Sequence, residues 1–153
     1  MDTKEITVKL LTEAFPKGNI EYMREVVTTD AVTHRAGFAA LYAATGATIP
    51  KKGNLLEWVE KGWSVLQAAL SDQNAVIHNI VSEGNKVIAH FHMSALHKGD
   101  FAGAPATNKR VEWDEISILT FNEEGKITDL WFMCEEMSLA TQIGYDLKLK
   151  ERE

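Results

Sequence analysis

Apolar positions change their period part-way along the chain. Ile6, Leu10, Leu11 and Ala14 recur at helical spacing and share one face. Asp2 with Glu5 marks the start of that helix as a capping box, and Pro16 and Gly18 mark its end. Asn19 caps a second, short helix bearing Ile20, Met23 and Val27, which Thr28, Thr29 and Asp30 break. Residues 31–35 read as a short strand carrying His34. Residues 36–52 form the least regular stretch, with Gly37, Gly46 and Pro50 among small side chains. A loop or loosely helical lid of that length inside a compact domain is more often functional than idle.

Asn54 with Glu57 opens the main helix, predicted over 54–71. Leu55, Val59, Gly62, Leu66 and Ala69 form its inner face, flanked by Trp58 and Trp63, a breadth that calls for burial against a sheet. From residue 74 the apolar period falls to two. Strands are expected over 74–82, 86–97, 110–122 and 126–134, with turns at Gly84 and Gly125 and a loop over 99–109. A last helix over 136–143 stops at Gly144. Early helices followed by a meander of long antiparallel strands indicate an α+β domain, with the main helix across a curved sheet and an open end left as a pocket. One domain over 1–147 is expected, then a polar tail over 148–153.

Composition narrows the function classes. Sixteen basic against 22 acidic residues give a net charge of −6, and no basic stripe is present, so nucleic acid and anionic membrane are not expected partners. The lone Cys134 cannot form an intramolecular disulfide. The charged start is unlike a signal peptide, and no apolar run nears the roughly 20 residues of a membrane span. A cytoplasmic location is the expectation.

Candidate chemistry lies on the strands. Alternation puts His90, His92 and Ser94 on one face and Ala89, Phe91 and Met93 on the other. Two imidazoles at i and i+2 could converge on a metal, but no third ligand is placed, so no metal is expected. If Phe121 pairs with Ile127, equal parity puts Trp113, Glu115, Ser117, Trp131, Met133 and Glu135 on one face. Ile116, Ile118, Leu130, Phe132 and Cys134 then share the other. The first set has the composition of a ligand pocket, and a bulge at the turn would break it. The second is purely apolar and suits packing against helices or a partner subunit, so a homodimer is expected. A carboxyl at Glu135 between Trp131 and Met133 would be desolvated and fit for proton transfer. The alternative is that Glu135 and Glu136 start the last helix.

The segment Gly99-Asp-Phe-Ala-Gly-Ala-Pro-Ala-Thr-Asn-Lys-Arg110, then Glu124-Gly-Lys-Ile127, Trp131, Glu135 and Leu139-Ala-Thr-Gln-Ile-Gly144, resembles the C-terminal half of the SnoaL-like polyketide cyclases. That resemblance implies a nuclear-transport-factor-2-like cone, a curved and mostly antiparallel sheet wrapped around N-terminal helices. It places Glu135 at or near the cyclases' acid/base aspartate and His34 at a cavity-facing histidine. His90 stands where arginine is common. The implied activity is cofactor-independent acid/base catalysis, an intramolecular aldol cyclisation or related lyase or isomerase step on a small apolar or aromatic carbonyl compound. Glu135 and His34 would be catalytic. His90, His92, Glu115, Trp131 and Met133, with Phe38 and Tyr42 from the lid, would hold the substrate. A non-catalytic ligand-binding or dimerisation module of the same fold is the alternative.

Overall fold

The computed structural model describes residues 2–152. Helix α1 spans Thr3–Lys9 and continues through a π segment, Leu10–Ala14, into a last turn, Phe15–Lys17. Helix α2 is Ile20–Val26, followed by strand β1, Val27–Arg35. Helix α3, Ala36–Ala44, occupies the first half of the expected lid. After a short strand, β2 at Lys52–Asn54, comes α4, with helical stretches at Leu55–Trp58 and Ser64–Ala69 joined by a π segment at Val59–Trp63. The long strands are β3 (Leu70–Glu83), β4 (Lys86–His97), β5 (Arg110–Phe121) and β6 (Ile127–Cys134). Helix α5, Glu136–Gln142, follows.

Side-chain caps fix three helix starts. Asp2 Oδ1 accepts from the Glu5 amide at 2.8 Å, Asn19 Oδ1 from Tyr22 at 3.1 Å, and Asn54 Oδ1 from Glu57 at 2.9 Å. Each satisfies an amide that the helix itself leaves unpaired.

The six strands form one curved sheet in the order β2-β1-β6-β5-β4-β3. Only β1 against β6 is parallel; the other neighbours are antiparallel. Leu10, Met23 and Leu55 from the helices meet Leu70, Leu119 and Ile127 from the sheet, all nearly without exposure. Burying each such side chain stabilises the fold by about 1.5–3 kcal/mol. Among the described residues no helix is long and apolar enough to cross a membrane.

The π segment of α4 turns its inner face relative to the regular pattern. Trp63 is buried, whereas Gly62 and Leu66 are half-buried. A larger correction concerns β6. Phe121 does pair with Ile127, but Thr120 pairs with Asp129, so Thr128 is an extra residue in the ladder. From there Ile118 faces Trp131, Ser117 faces Phe132, Ile116 faces Met133 and Glu115 faces Cys134. A one-residue slip moves every later side chain to the opposite face. Leu130, Phe132 and Cys134 therefore point into the core with Trp113, Glu115 and Ser117, while Trp131 and Met133 join Ile116 and Ile118 outside.

A second bulge interrupts β3 between Ser71 and Asn74, where Asp72 adopts φ +48°. Arg110 holds it, Nη1 donating to Asp72 Oδ2 at 2.9 Å and Nη2 to the Asp72 carbonyl at 2.7 Å. The bulge turns Gln73 toward the helices instead of Asp72.

Candidate active site

The concave face of the sheet and the helices over it enclose a small cavity. Alternation along β5 presents Trp113, Glu115 and Ser117 to it, β4 adds Phe91 and Met93, and β6 adds Leu130 and Phe132. The helices close it with Leu11 and Phe15, then Phe38 of α3 and Trp58, Trp63 and Leu66 of α4. Both π segments contribute here, Leu11 from one and Trp63 from the other. Such segments recur at functional sites. Phe38 packs edge-on to Phe132 at 5.7 Å and to Phe101 at 6.1 Å, so Phe101, itself buried, plugs the space beneath α3.

The space open to the centre of a water molecule is about 40 Å³, room for a few waters. Phe38, Trp58 and Leu66 separate it from an outer recess of about 330 Å³ that also touches Arg35, Tyr42, Ile49 and Pro50.

Glu115 is the ionisable group of the inner cavity. The residue is half-buried, and the desolvation of its carboxyl pushes its pKa up from 4.5 to about 7. The opposing influence is one hydrogen bond, Trp113 Nε1 donating to Glu115 Oε1 at 2.8 Å. Burial wins because it disfavours the charged form more than one donor favours it. Gln73 Nε2 donates to the Leu70 carbonyl at 2.9 Å, which leaves Gln73 Oε1 buried with no hydrogen-bond partner among the described residues. An aromatic cavity with a near-neutral carboxyl and a spare acceptor is suited to moving a proton on an apolar ligand.

Of the site residues expected from sequence, Glu115 and Phe38 line this cavity, and Tyr42 lines the outer recess. The others are elsewhere. His34 lies on the outer face of β1, its Nε2 2.9 Å from Asp129 Oδ2. His90 and His92 share Asp114 on the outer face: His90 Nε2 lies 2.9 Å from Oδ2 and His92 Nδ1 2.6 Å from Oδ1. That aspartate raises the pKa of His92, chiefly through the hydrogen bond, and the two histidines lower that of Asp114. Trp131 and Met133 are outside because of the Thr128 bulge. Glu135 is exposed at the end of β6; its Oε1 accepts from the Asp114 amide at 2.7 Å, and it makes no side-chain cap for α5. The structure thus does not bring Glu135 and His34 into one enclosed cavity.

Ser117 lines the cavity, on the face that the β5 alternation predicts; Gln73 and Arg35 are not among the site residues expected from sequence. Gln73 depends on a bulge that leaves no mark in the apolar period. Arg35 could have been found, since alternation from Ala31 and Thr33 places it opposite His34.

Residues 5–143 match the sequence model of the SnoaL-like polyketide cyclase family. Solved structures similar to the chain include IdmH, a candidate polyketide cyclase from Streptomyces antibioticus. It is 24% identical over 95% of this chain and 100% of that one, with a TM-score of 0.76. A candidate SnoaL-like polyketide cyclase from Jannaschia sp. CCS1 is 16% identical over 95% and 93% of the two chains, with a TM-score of 0.77. AclR, a candidate hydroxylase from Streptomyces galilaeus, is 17% identical over 97% and 85%, at 0.75. At these identities the likeness is one of fold, which hosts more than one chemistry. Among curated proteins no sequence matches significantly.

Proposed function

The chain belongs to the SnoaL-like polyketide cyclase family, and from that premise we propose a cofactor-independent acid/base enzyme in which Glu115 moves the proton. The substrate class is a small apolar or aromatic carbonyl compound. Ionised Glu115 takes a proton from the carbon beside a carbonyl and leaves an enolate. The enolate carbon attacks a second carbonyl of the same molecule, a carbon–carbon bond forms, and the new alkoxide takes the proton back from Glu115. Gln73 Oε1 accepts a hydrogen bond from a substrate hydroxyl and orients it.

The observation that carries this reading is the Glu115 carboxyl on the wall of an aromatic cavity, its pKa raised to about 7 by desolvation. A group titrating near the working pH gives and takes protons with comparable ease. The closed volume requires the side chains of Phe38, Trp58 and Leu66 to swing aside for a ring system to enter from the outer recess.

The test is exchange of the methyl-ketone protons of 2-acetonaphthone in D₂O, followed by NMR. The protein accelerates exchange, and Glu115→Gln loses on the order of a hundredfold or more of that acceleration. Equal rates for the two proteins would overturn the assignment.

A homodimer is proposed with it, through the outer sheet face. Ile116 and Met133 are 45% and 47% exposed there, and Ile88 and Val76 extend the patch.

A further inference from the structure

An enolate carries its charge on oxygen, and a hydrogen-bond donor placed there lowers the barrier to making it. Five side chains that line the inner cavity bear an N–H or O–H group: Trp58, Trp63, Gln73, Trp113 and Ser117. Three of them already donate within the fold. Trp63 Nε1 donates to the Phe15 carbonyl at 3.0 Å, Gln73 Nε2 to the Leu70 carbonyl and Trp113 Nε1 to Glu115. The pyrrole edge of Trp58 lies against Gly62, where an added Cβ would stand 2.9 Å from Cδ1 and 3.1 Å from Nε1. Gly62 borders the outer recess and not the inner cavity, which sets that N–H on the outer side.

The Ser117 hydroxyl is left. Ser117 is only 2% exposed, yet among the described residues its hydroxyl makes no hydrogen bond. Buried polar groups are rarely left so. The register supplies the reason. Ser117 sits on β5 between Ala89 of β4 and Phe132 of β6, a methyl and a ring that accept nothing. Its neighbours on the same face of its own strand are Glu115 and Leu119. Of these four neighbours only Glu115 is polar.

We propose that the Ser117 hydroxyl holds the oxygen of the carbonyl whose neighbouring carbon Glu115 deprotonates. The base is taken from the Glu115 reading; the hydrogen bond itself does not depend on it. Residues two apart on one strand face are separated by about 7 Å. At that spacing a ketone seated between the two side chains can meet both, its α-carbon at the carboxylate and its oxygen at the hydroxyl, each at about 3 Å. As the α-proton passes to Glu115, the C–H electron pair becomes the enolate double bond. The carbonyl π pair moves onto oxygen, where Ser117 donates. When the enolate carbon attacks the second carbonyl, that pair returns and Ser117 still holds its own proton. Gln73 Oε1 is an acceptor and takes a hydroxyl instead, so the two groups sort the ends of the substrate.

The test uses 2-acetonaphthone labelled with ¹³C at its carbonyl, and Ser117→Ala, whose methyl suits the apolar neighbours and keeps the fold. Infrared difference spectra read the hydrogen bond: the bound carbonyl stretch lies lower in the wild type than in Ser117→Ala. Methyl-proton exchange in D₂O reads its effect on rate, and Ser117→Ala loses on the order of a hundredfold of the acceleration. Ketone affinity changes far less, because the donor meets most charge in the transition state. An unshifted stretch, or exchange as fast in Ser117→Ala as in the wild type, overturns the Ser117 role. Glu115→Gln separates the two readings. A shifted stretch and Ser117-dependent exchange that survives Glu115→Gln keep the Ser117 role and sink that of Glu115. Exchange lost in Glu115→Gln but not in Ser117→Ala does the reverse. A wild type that does not bind the ketone overturns both.

Discussion

Trp113 Nε1 donates to Glu115 Oε1 at 2.8 Å from two positions away on the same strand face. The bond favours the ionised carboxyl and is the one influence working against burial. Trp113→Phe keeps an aromatic wall and removes the donor, so Glu115 should titrate above its present value of about 7. A carboxyl ¹³C titration by NMR reads this directly, and the pH limb of ketone exchange should move in the same direction. A downward shift would contradict the assignment of causes.

Glu115 also sets a pH dependence of stability. Its folded pKa, about 7, lies above the ordinary carboxyl value of 4.5, so the folded state holds the proton more tightly. The contribution is complete below 4.5 and is lost as pH rises through 7. By linkage the loss amounts to roughly 3 kcal/mol. Glu115→Gln lacks it, so urea melts should show the variant gaining on the wild type across this window and holding its gain above it. A constant difference would mean the carboxyl is solvated.

On the outer face, His92 and Asp114 bracket a stability window. The raised His92 pKa gives stability present below 6.5 and lost as pH rises through its folded value. The lowered Asp114 pKa gives stability present above 3.8 and lost as pH falls through its own folded value. Asp114→Asn should remove the acid end and weaken the other, lowering the His92 pKa only part of the way because Glu112 also raises it, checked by imidazole proton shifts and by melts over the same range.

Gly37 permits the close seating of α3 on β6. A Cβ there would stand 2.7 Å from the Cys134 amide nitrogen and 3.1 Å from its Sγ. Backbone cannot yield as a side chain does, so Gly37→Ala should cost about 1–3 kcal/mol. It should also disturb the neighbouring Phe38 and with it the cavity wall. Denaturant midpoints and ligand affinity should both fall.

If the outer sheet face pairs two copies, Ile116→Asp should yield monomers by light scattering at micromolar protein while leaving Glu115 on the opposite face untouched. A wild-type monomer under the same conditions would dismiss the proposed dimer.

What could be read from the chain beforehand was whatever neighbours in sequence decide. Asp2, Asn19 and Asn54 cap helices through amides three residues away, and local spacing reveals them. The alternation of Trp113, Glu115 and Ser117 was legible for the same reason. Thr128 and Asp72 were not, because a bulge is decided by pairing with a strand distant in sequence. The catalytic emphasis on Glu135 inherited that gap: parity carried across an unseen extra residue points the wrong way. Arg35 was legible by alternation from Ala31 and Thr33, on the face opposite His34.

Thr128 acts as an inversion element, with the strand in opposite phase on its two sides. Substitutions would have to rewrite much of an eight-residue strand to exchange its faces; removing one residue does it in a single step. Within this fold, a relative lacking that residue would turn the counterparts of Trp131 and Met133 inward and those of Phe132 and Cys134 outward. A role carried between such chains by counting along the hairpin motif therefore changes sides of the sheet without any change in the motif.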